Sequence, residues 1–280
     1  MNIIKRMFNT KVLNDIKIRP VKLETTKTNV YGSDMLKNPY GTIALVSKTN
    51  TGKTTTLYNM LNHTIDPKRK TNVVIFCSTH EMDPTYDKIK ELLERKKCIV
   101  FSHYHFIEDN ENIIDHYLDI IQNPPEENEV EEIKERRPHP SGSRDRLIVK
   151  TIKKTIKEPA YLSAKWIFIF DDLGRETRRS EMNFVMRSRH FHIRTYICTQ
   201  HLSNLHPTVR KQISTCLFFK SFSKDKLRVI YEDLDIEILF ELFETIYKFA
   251  TRDPYSFLVY DVNEQQFRKN FNTLIEFKEN

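Results

Sequence analysis

The chain has 280 residues, 39% of them hydrophobic and 30% charged, which are the proportions of a soluble globular protein on the polar side. No run approaches the ~20 apolar residues of a membrane span, and the opening MNIIKRMF is too short for a signal-peptide apolar region. Lys and Arg number 45 against 38 Asp and Glu, a formal charge of +7 that permits nucleic-acid binding without demanding it. The four cysteines, Cys77, Cys98, Cys198 and Cys216, are scattered with no CxxC pair, which points to reduced thiols rather than disulfides or a zinc site.

Residues 1–40 are mixed, basic and weakly periodic, and read as an N-terminal arm or a peripheral strand. From Gly41 the pattern is clear. Thr42–Val46 is an apolar strand, and Lys53 to about Asn62 is helical. Asn72–Cys77 is a second strand, Tyr86–Lys96 a helix, Cys98–Ser102 a third strand and Glu111–Ile121 a helix. Strands alternating with helices predict an α/β fold with a mostly parallel sheet flanked by helices. Residues 123–160 break the pattern. They are rich in Pro, Glu, Arg and Ser, and read as a flexible insertion, a hairpin or a disordered loop. Order returns at Trp166–Phe170, followed by a helix over Glu176–Arg187. Strands follow at Thr195–Thr199 and Thr215–Phe219, then a helical stretch over 223–249 and a last strand at Ser256–Val262. The expected organisation is an arm at 1–40, a main α/β domain at 41–262 that carries the insertion at 123–160, and a C-terminal tail at 263–280.

The segment Ile43–Thr56 reads IALVSKTNTGKTTT: a buried strand, a small polar loop, Gly-Lys-Thr, then a helix. That is the physical setting of a phosphate-binding loop. Backbone N–H groups of the loop and helix N-terminus point at the phosphates, and the helix dipole favours their charge. The stretch Ser47, Lys48, Thr49, Asn50, Thr51, Gly52, Lys53, Thr54 and Thr55 is the expected nucleotide cradle. Gly52 lets the backbone approach closely, Lys53 reaches the β- and γ-phosphates, and Thr54 places its hydroxyl on Mg²⁺. The first position of the GxxxxGK[ST] pattern is Ser47 rather than glycine, and strain is expected there.

A P-loop needs an acidic partner for the metal and a group that orients the attacking water. In Trp166–Asp172 (WIFIFDD) a buried strand releases two carboxylates at its carboxyl end, where ligands of open α/β sheets bind. Asp171 is assigned to Mg²⁺, directly or through a water, and Asp172 to the general base. Gln200, at the end of TYICTQ, sits beside Asp172 if the two strands are neighbours, and its amide then holds water or the γ-phosphate; otherwise Thr199 and Gln200 cap the next helix. A γ-phosphate contact from a neighbouring subunit is often an arginine. The candidates are Arg175, Arg178, Arg179, Arg187, Arg189, Arg194 and Arg210, with Arg210 in the Pro-started helix PTVRKQI preferred. His103 and His105, and His190 and His192, alternate as residues on one strand face do, but lack an acidic or cysteine partner at a metal-ligand spacing.

The set TNTGKTTT, VVIFCSTHEMDPTYDKI, WIFIFDD, TYICTQHLSNLHPTVRKQI and DPYSFLVYD, in this order, resembles the viral genome-packaging ATPases of the FtsK–HerA superfamily. Poxviruses, other large DNA viruses, virophages and Maverick-type elements carry such enzymes. The resemblance covers about residues 40–262. It implies a RecA-like P-loop NTPase working as a homo-oligomeric ring, a hexamer or pentamer, that uses ATP and Mg²⁺ to translocate double-stranded DNA into a capsid. It further implies a location in the host cytoplasm or nucleus, at the virus factory or in the virion, with capsid proteins as partners and no membrane. It supports Lys53, Thr54, Asp171, Asp172 and Gln200 in the roles given. Here Asp172 stands where many members of the superfamily have glutamate. Rival readings are a DNA helicase or recombination ATPase with the same core, a P-loop small-molecule kinase, and a non-catalytic DNA-binding scaffold with a degenerate nucleotide site.

Overall fold

A computed structural model describes residues 29–77, 83–108, 111–123, 130–137, 146–153, 161–171, 184–188 and 190–277. In chain order its main elements are β1 (Gly41–Val46), α1 (Lys53–Thr64), β2 (Asn72–Cys77), α2 (Pro84–Arg95), β3 (Ile99–His103), α3 (Ile113–Gln122), β4 (Trp166–Asp171), β5 (Ile193–Thr199), β6 (Ile213–Phe219), α4 (Lys224–Asp233), α5 (Phe240–Ala250), β7 (Phe257–Asp261), β8 (Gln266–Lys269) and β9 (Thr273–Ile275). The nine strands form one sheet in the order β9-β8-β7-β6-β1-β5-β4-β2-β3. Strands β1 to β6 pair in parallel, and β7, β8 and β9 add an antiparallel meander at one side.

Alternation along each strand sends side chains to opposite faces, and both faces are covered. On one face Leu45, Val73, Ile75, Ile167, Ile169, Tyr196 and Cys198 meet Leu57, Met60 and Leu61 of α1 and Tyr86, Ile89 and Leu93 of α2. On the other, Ala44, Val46, Val74, Phe76, Phe168, Phe170 and Cys216 meet α3, α4 and α5 through Ile114, Tyr117, Leu227, Ile230, Phe243 and Ile246. This is why the parallel strands are nearly all apolar. The register then levels their ends. Asp171 lies opposite both Cys77 and Cys198, and Val46 opposite both Thr199 and Phe218. The carboxyl ends of β1, β2, β4, β5 and β6 therefore share one edge.

Two expectations change. The helical stretch over 223–249 is two helices: Asp235 adopts φ 48°, a left-handed conformation that aspartate tolerates and that ends the first run. Residues 263–280 are not simply a tail, because β8 and β9 lie within them and extend the sheet. Phe267 of β8 is buried and stacks on Tyr260 at 4.8 Å, so one aromatic anchors a strand that is otherwise polar. In the insertion, Val130–Arg137 and Arg146–Lys153 pair as an antiparallel hairpin. Of the N-terminal arm, residues 1–28 lie outside the described residues; in the remainder, Asn29–Val30 pairs in parallel with Tyr161–Leu162, and Met35 and Leu36 join the core. Among the described residues no helix is long and apolar enough to cross a membrane.

None of the four cysteines is in a disulfide. Burial pushes the Cys98 thiol up to about 11 and raises Cys216 further still; burial also raises the Tyr86, Tyr247 and Tyr260 phenols. Each raised group keeps its proton in the folded chain after its unfolded counterpart has ionised. Stability from these groups is therefore complete at neutral pH and is lost as pH rises. Thermal melts should be flat through pH 7–8 and fall above roughly pH 9, by about 1.4 kcal/mol per pH unit for each group in play. Melting points that hold steady to pH 11 would contradict this burial.

Candidate nucleotide site

The loop after β1 meets the start of α1 at the levelled edge of the sheet. Its backbone uses two left-handed residues, Asn50 at φ 60° and Gly52 at φ 95°. Asparagine is among the few side chains that accept this region, and glycine accepts it freely. Ser47 is not among the residues with positive φ, so the strain expected at that position is absent; the demand falls on Asn50 instead. Ser47 is fully buried, and its amide donates to the Thr199 carbonyl at 3.0 Å. The Thr51 hydroxyl donates to the Lys48 carbonyl at 3.0 Å and holds the loop closed on itself. Lys48, Thr49 and Asn50 are exposed at the tip, Thr51, Gly52 and Thr54 are half-buried, Lys53 is buried and Thr55 is exposed.

Of the helices that start at this edge, α4 has no side-chain cap but carries Asp225 in its first turn. Helix α2 is capped by the Asp83 side chain, which accepts from the Thr85 amide at 2.8 Å, and α3 by Asn112, which accepts from the Ile114 amide at 2.9 Å. Helix α1 begins at Gly52, with no side-chain cap and no acidic residue in its first turn. The first amides of a helix require an acceptor, and here the sequence supplies none locally. An anion is the natural partner of such an end.

The acidic side is built by β4. Because Ile167 and Ile169 face α1 and α2, alternation turns Asp171 to that same face, although it is only 6% exposed. The Lys53 ammonium stands 3.7 Å from its Oδ1. The Tyr86 hydroxyl donates to Oδ2 at 2.7 Å. Tyr86 lies in the first turn of α2, and its phenol is held well above its ordinary value, first by burial and then by the Asp171 charge. It therefore stays a hydrogen-bond donor across the working pH range. Strand β5 lies between β1 and β4, so Gln200 follows a strand adjacent to both the loop and the acid, as the sensor reading required. The capping alternative does not hold: Thr199 donates to the His201 carbonyl at 3.1 Å, and the turn Leu202–Asn204 has no side-chain cap. Burial, then the Lys226 and Lys48 ammoniums, lower the His201 imidazole, a sign of positive potential beside the loop.

Asp172 lies outside the described residues, as do Arg175, Arg178, Arg179 and Arg189. Arg210 is drawn into an ion pair with Asp233 of its own chain, with a side chain only 15% exposed, so it does not stand free to reach another subunit. Arg194 is wholly buried, donating to the carbonyls of Pro39 at 2.9 Å and Thr64 at 3.4 Å, and is structural. Arg187 is exposed. His103 bonds the Tyr117 hydroxyl at 3.0 Å, while His192 stacks on Tyr40 at 4.5 Å. Sequence reading did not single out Tyr86 for the site. Its signal was the DPTYD run, in which a cap, a helix-starting proline and a tyrosine follow the strand beside β4.

No family model matches the sequence, and no curated protein matches it. Among solved structures the chain is similar to B204, the DNA-packaging ATPase from Sulfolobus turreted icosahedral virus, at 15% identity and a TM-score of 0.50, over 82% of this chain and 97% of that one. The genome packaging NTPase B204 from Sulfolobus turreted icosahedral virus 2 is similar in complex with AMPPCP (16% identity, TM-score 0.47) and with ATP-gammaS (14%, 0.47), each over 82% of this chain and 97% of the other. The chain thus has the α/β fold of the P-loop NTPases, shared with the Sulfolobus turreted icosahedral virus enzyme.

Proposed function

We propose that the chain is an ATP-hydrolysing motor that moves double-stranded DNA into a viral capsid. One observation carries the nucleotide part: an uncapped helix start at a left-handed Gly52, with Lys53 facing Asp171 across the end of a parallel sheet. Loop amides and Lys53 bind the β- and γ-phosphates. Thr54 and Asp171 offer hydroxyl and carboxylate oxygens, the donor set that suits Mg²⁺, and the cation offsets charge on the phosphates when bound. Tyr86 holds Asp171 in one orientation as a fixed donor to its Oδ2. Asp172 takes a proton from the attacking water, and Gln200 orients it. The arginine from a neighbouring subunit falls to the group Arg175, Arg178 and Arg179 rather than to Arg210.

The packaging role is supported by the sequence resemblance and by the fold shared with a DNA-packaging ATPase. A further support lies beyond the end of β6. Lys220, Lys224, Lys248 and Arg252 line a groove of about 410 Å³ whose single acid, Glu244, pairs with Lys224 and Lys248. A groove lined by four cations and one acid suits a phosphate backbone, and attraction of that kind weakens steeply with salt.

Steady-state ATP hydrolysis with and without duplex DNA tests the proposal. Lys53→Ala should abolish turnover. Because it also leaves a buried carboxylate without its cation, it should cost about 3–5 kcal/mol of stability, checked by melting. Asp172→Asn should bind ATP and not hydrolyse it. Tyr86→Phe should lower turnover and cost roughly 1.5–3 kcal/mol, the range for a hydrogen bond to a charged group. Lys220→Ala combined with Lys224→Ala should remove DNA stimulation and spare the basal rate. Turnover indifferent to DNA would move the chain to another class of P-loop enzyme, and full turnover in Lys53→Ala would refute the site.

A further inference from the structure

Tyr255 combines three properties that packing alone does not explain. Its backbone is left-handed, at φ 60°, a conformation that bulky side chains rarely adopt. Its side chain is 75% exposed although it is a large aromatic. Its ring lies against the phosphate loop: a Cβ built on Gly52 would sit 3.4 Å from Tyr255 Cδ1. The turn that presents it is firmly held. The Ser256 amide and hydroxyl donate to the Asp253 carbonyl at 3.2 and 2.7 Å, and the Asp253 carboxylate is tied to the Lys269 ammonium. Strained residues held by a braced turn cluster at functional positions.

Topology gives the direction. Strand β7 runs antiparallel to β6, with Phe257 opposite Phe219, the last residue of β6, so the segment before Phe257 emerges at the loop edge. In the sheet order, β6 and β7 lie on one side of β1, while β5 and β4, which ends in Asp171, lie on the other. A nucleotide whose phosphates rest on α1 and whose terminal phosphate faces Asp171 must extend its other end toward Tyr255. We propose that Tyr255 is the platform on which the nucleobase stacks, an inference that rests on the nucleotide site proposed above. A phenol ring recognises the π-face that every base has, so the site accepts purine nucleoside triphosphates with little discrimination between adenine and guanine.

Calorimetric titration of the full chain with ATP, GTP and inorganic tripolyphosphate tests this. The wild type should bind ATP and GTP within a few-fold of one another, and both more tightly than tripolyphosphate. Tyr255→Asn retains a residue that tolerates the left-handed backbone, so the turn stays intact while the ring is lost. It should weaken ATP and GTP on the order of tenfold to a hundredfold, the span of one aromatic–base stack, and leave tripolyphosphate unchanged. Tyr255→Phe should bind all three like the wild type. Unchanged ATP affinity in Tyr255→Asn would overturn the stacking role while leaving the phosphate site intact. Equal weakening of ATP and tripolyphosphate would also overturn it, by showing that Tyr255 merely shapes the loop. A wild type that binds neither nucleotide nor tripolyphosphate would remove the nucleotide site and this inference together.

Discussion

Two opposite charges, the Lys53 ammonium and the Asp171 carboxylate, are held about nine-tenths out of water at the same end of the sheet. Neither would be tolerable there alone, because burying an unpaired charge costs several kcal/mol. Their meeting depends on everything beneath them. The parallel register must bring β1 and β4 to one level, β5 must fill the space between, and α1 must start where β1 ends. The apolar strands are therefore more than a core; they set the height at which chemistry-bearing side chains emerge.

Much of this was legible in the sequence. Continuous apolar runs, most of them alternating with helical stretches, specify a doubly covered parallel sheet, since a half-exposed strand would alternate. The step from apolar to carboxylate at Phe170–Asp171, and from strand to small polar loop at Val46–Ser47, marks the edge where ligands bind. Both signals are local, because a strand's end and a helix's start lie within a few residues of each other in the chain. The expected neighbour relation between the Gln200 strand and the acid strand also held, as parallel connections in such sheets are short and strongly constrained.

What the sequence concealed was long-range. Tyr86 reaches Asp171 over 85 residues, and no spacing rule relates a tyrosine in one helix to a carboxylate in a distant strand. Arg210 looked available because its ion-pair partner, Asp233, lies in a different helix. The strain assigned to Ser47 belongs to Asn50, since dihedral demands depend on the route of the whole loop and not on a motif's first letter. Strands β8 and β9 were missed for the opposite reason: they are only four and three residues long, and backbone pairing of β8 to β7 and of β9 to β8, with Phe267, holds them.

The bond from the Ser47 amide to the Thr199 carbonyl joins the phosphate loop to the strand that ends beside Gln200. It is made by main-chain atoms, and no substitution short of proline at position 47 deletes it. The loop and the strand that ends at Thr199 are therefore tied together at the main chain. Any displacement of the loop pulls on that strand end through the backbone, before any side chain has to change rotamer. Strand end and loop thus shift together, a linkage that side-chain mutation leaves in place.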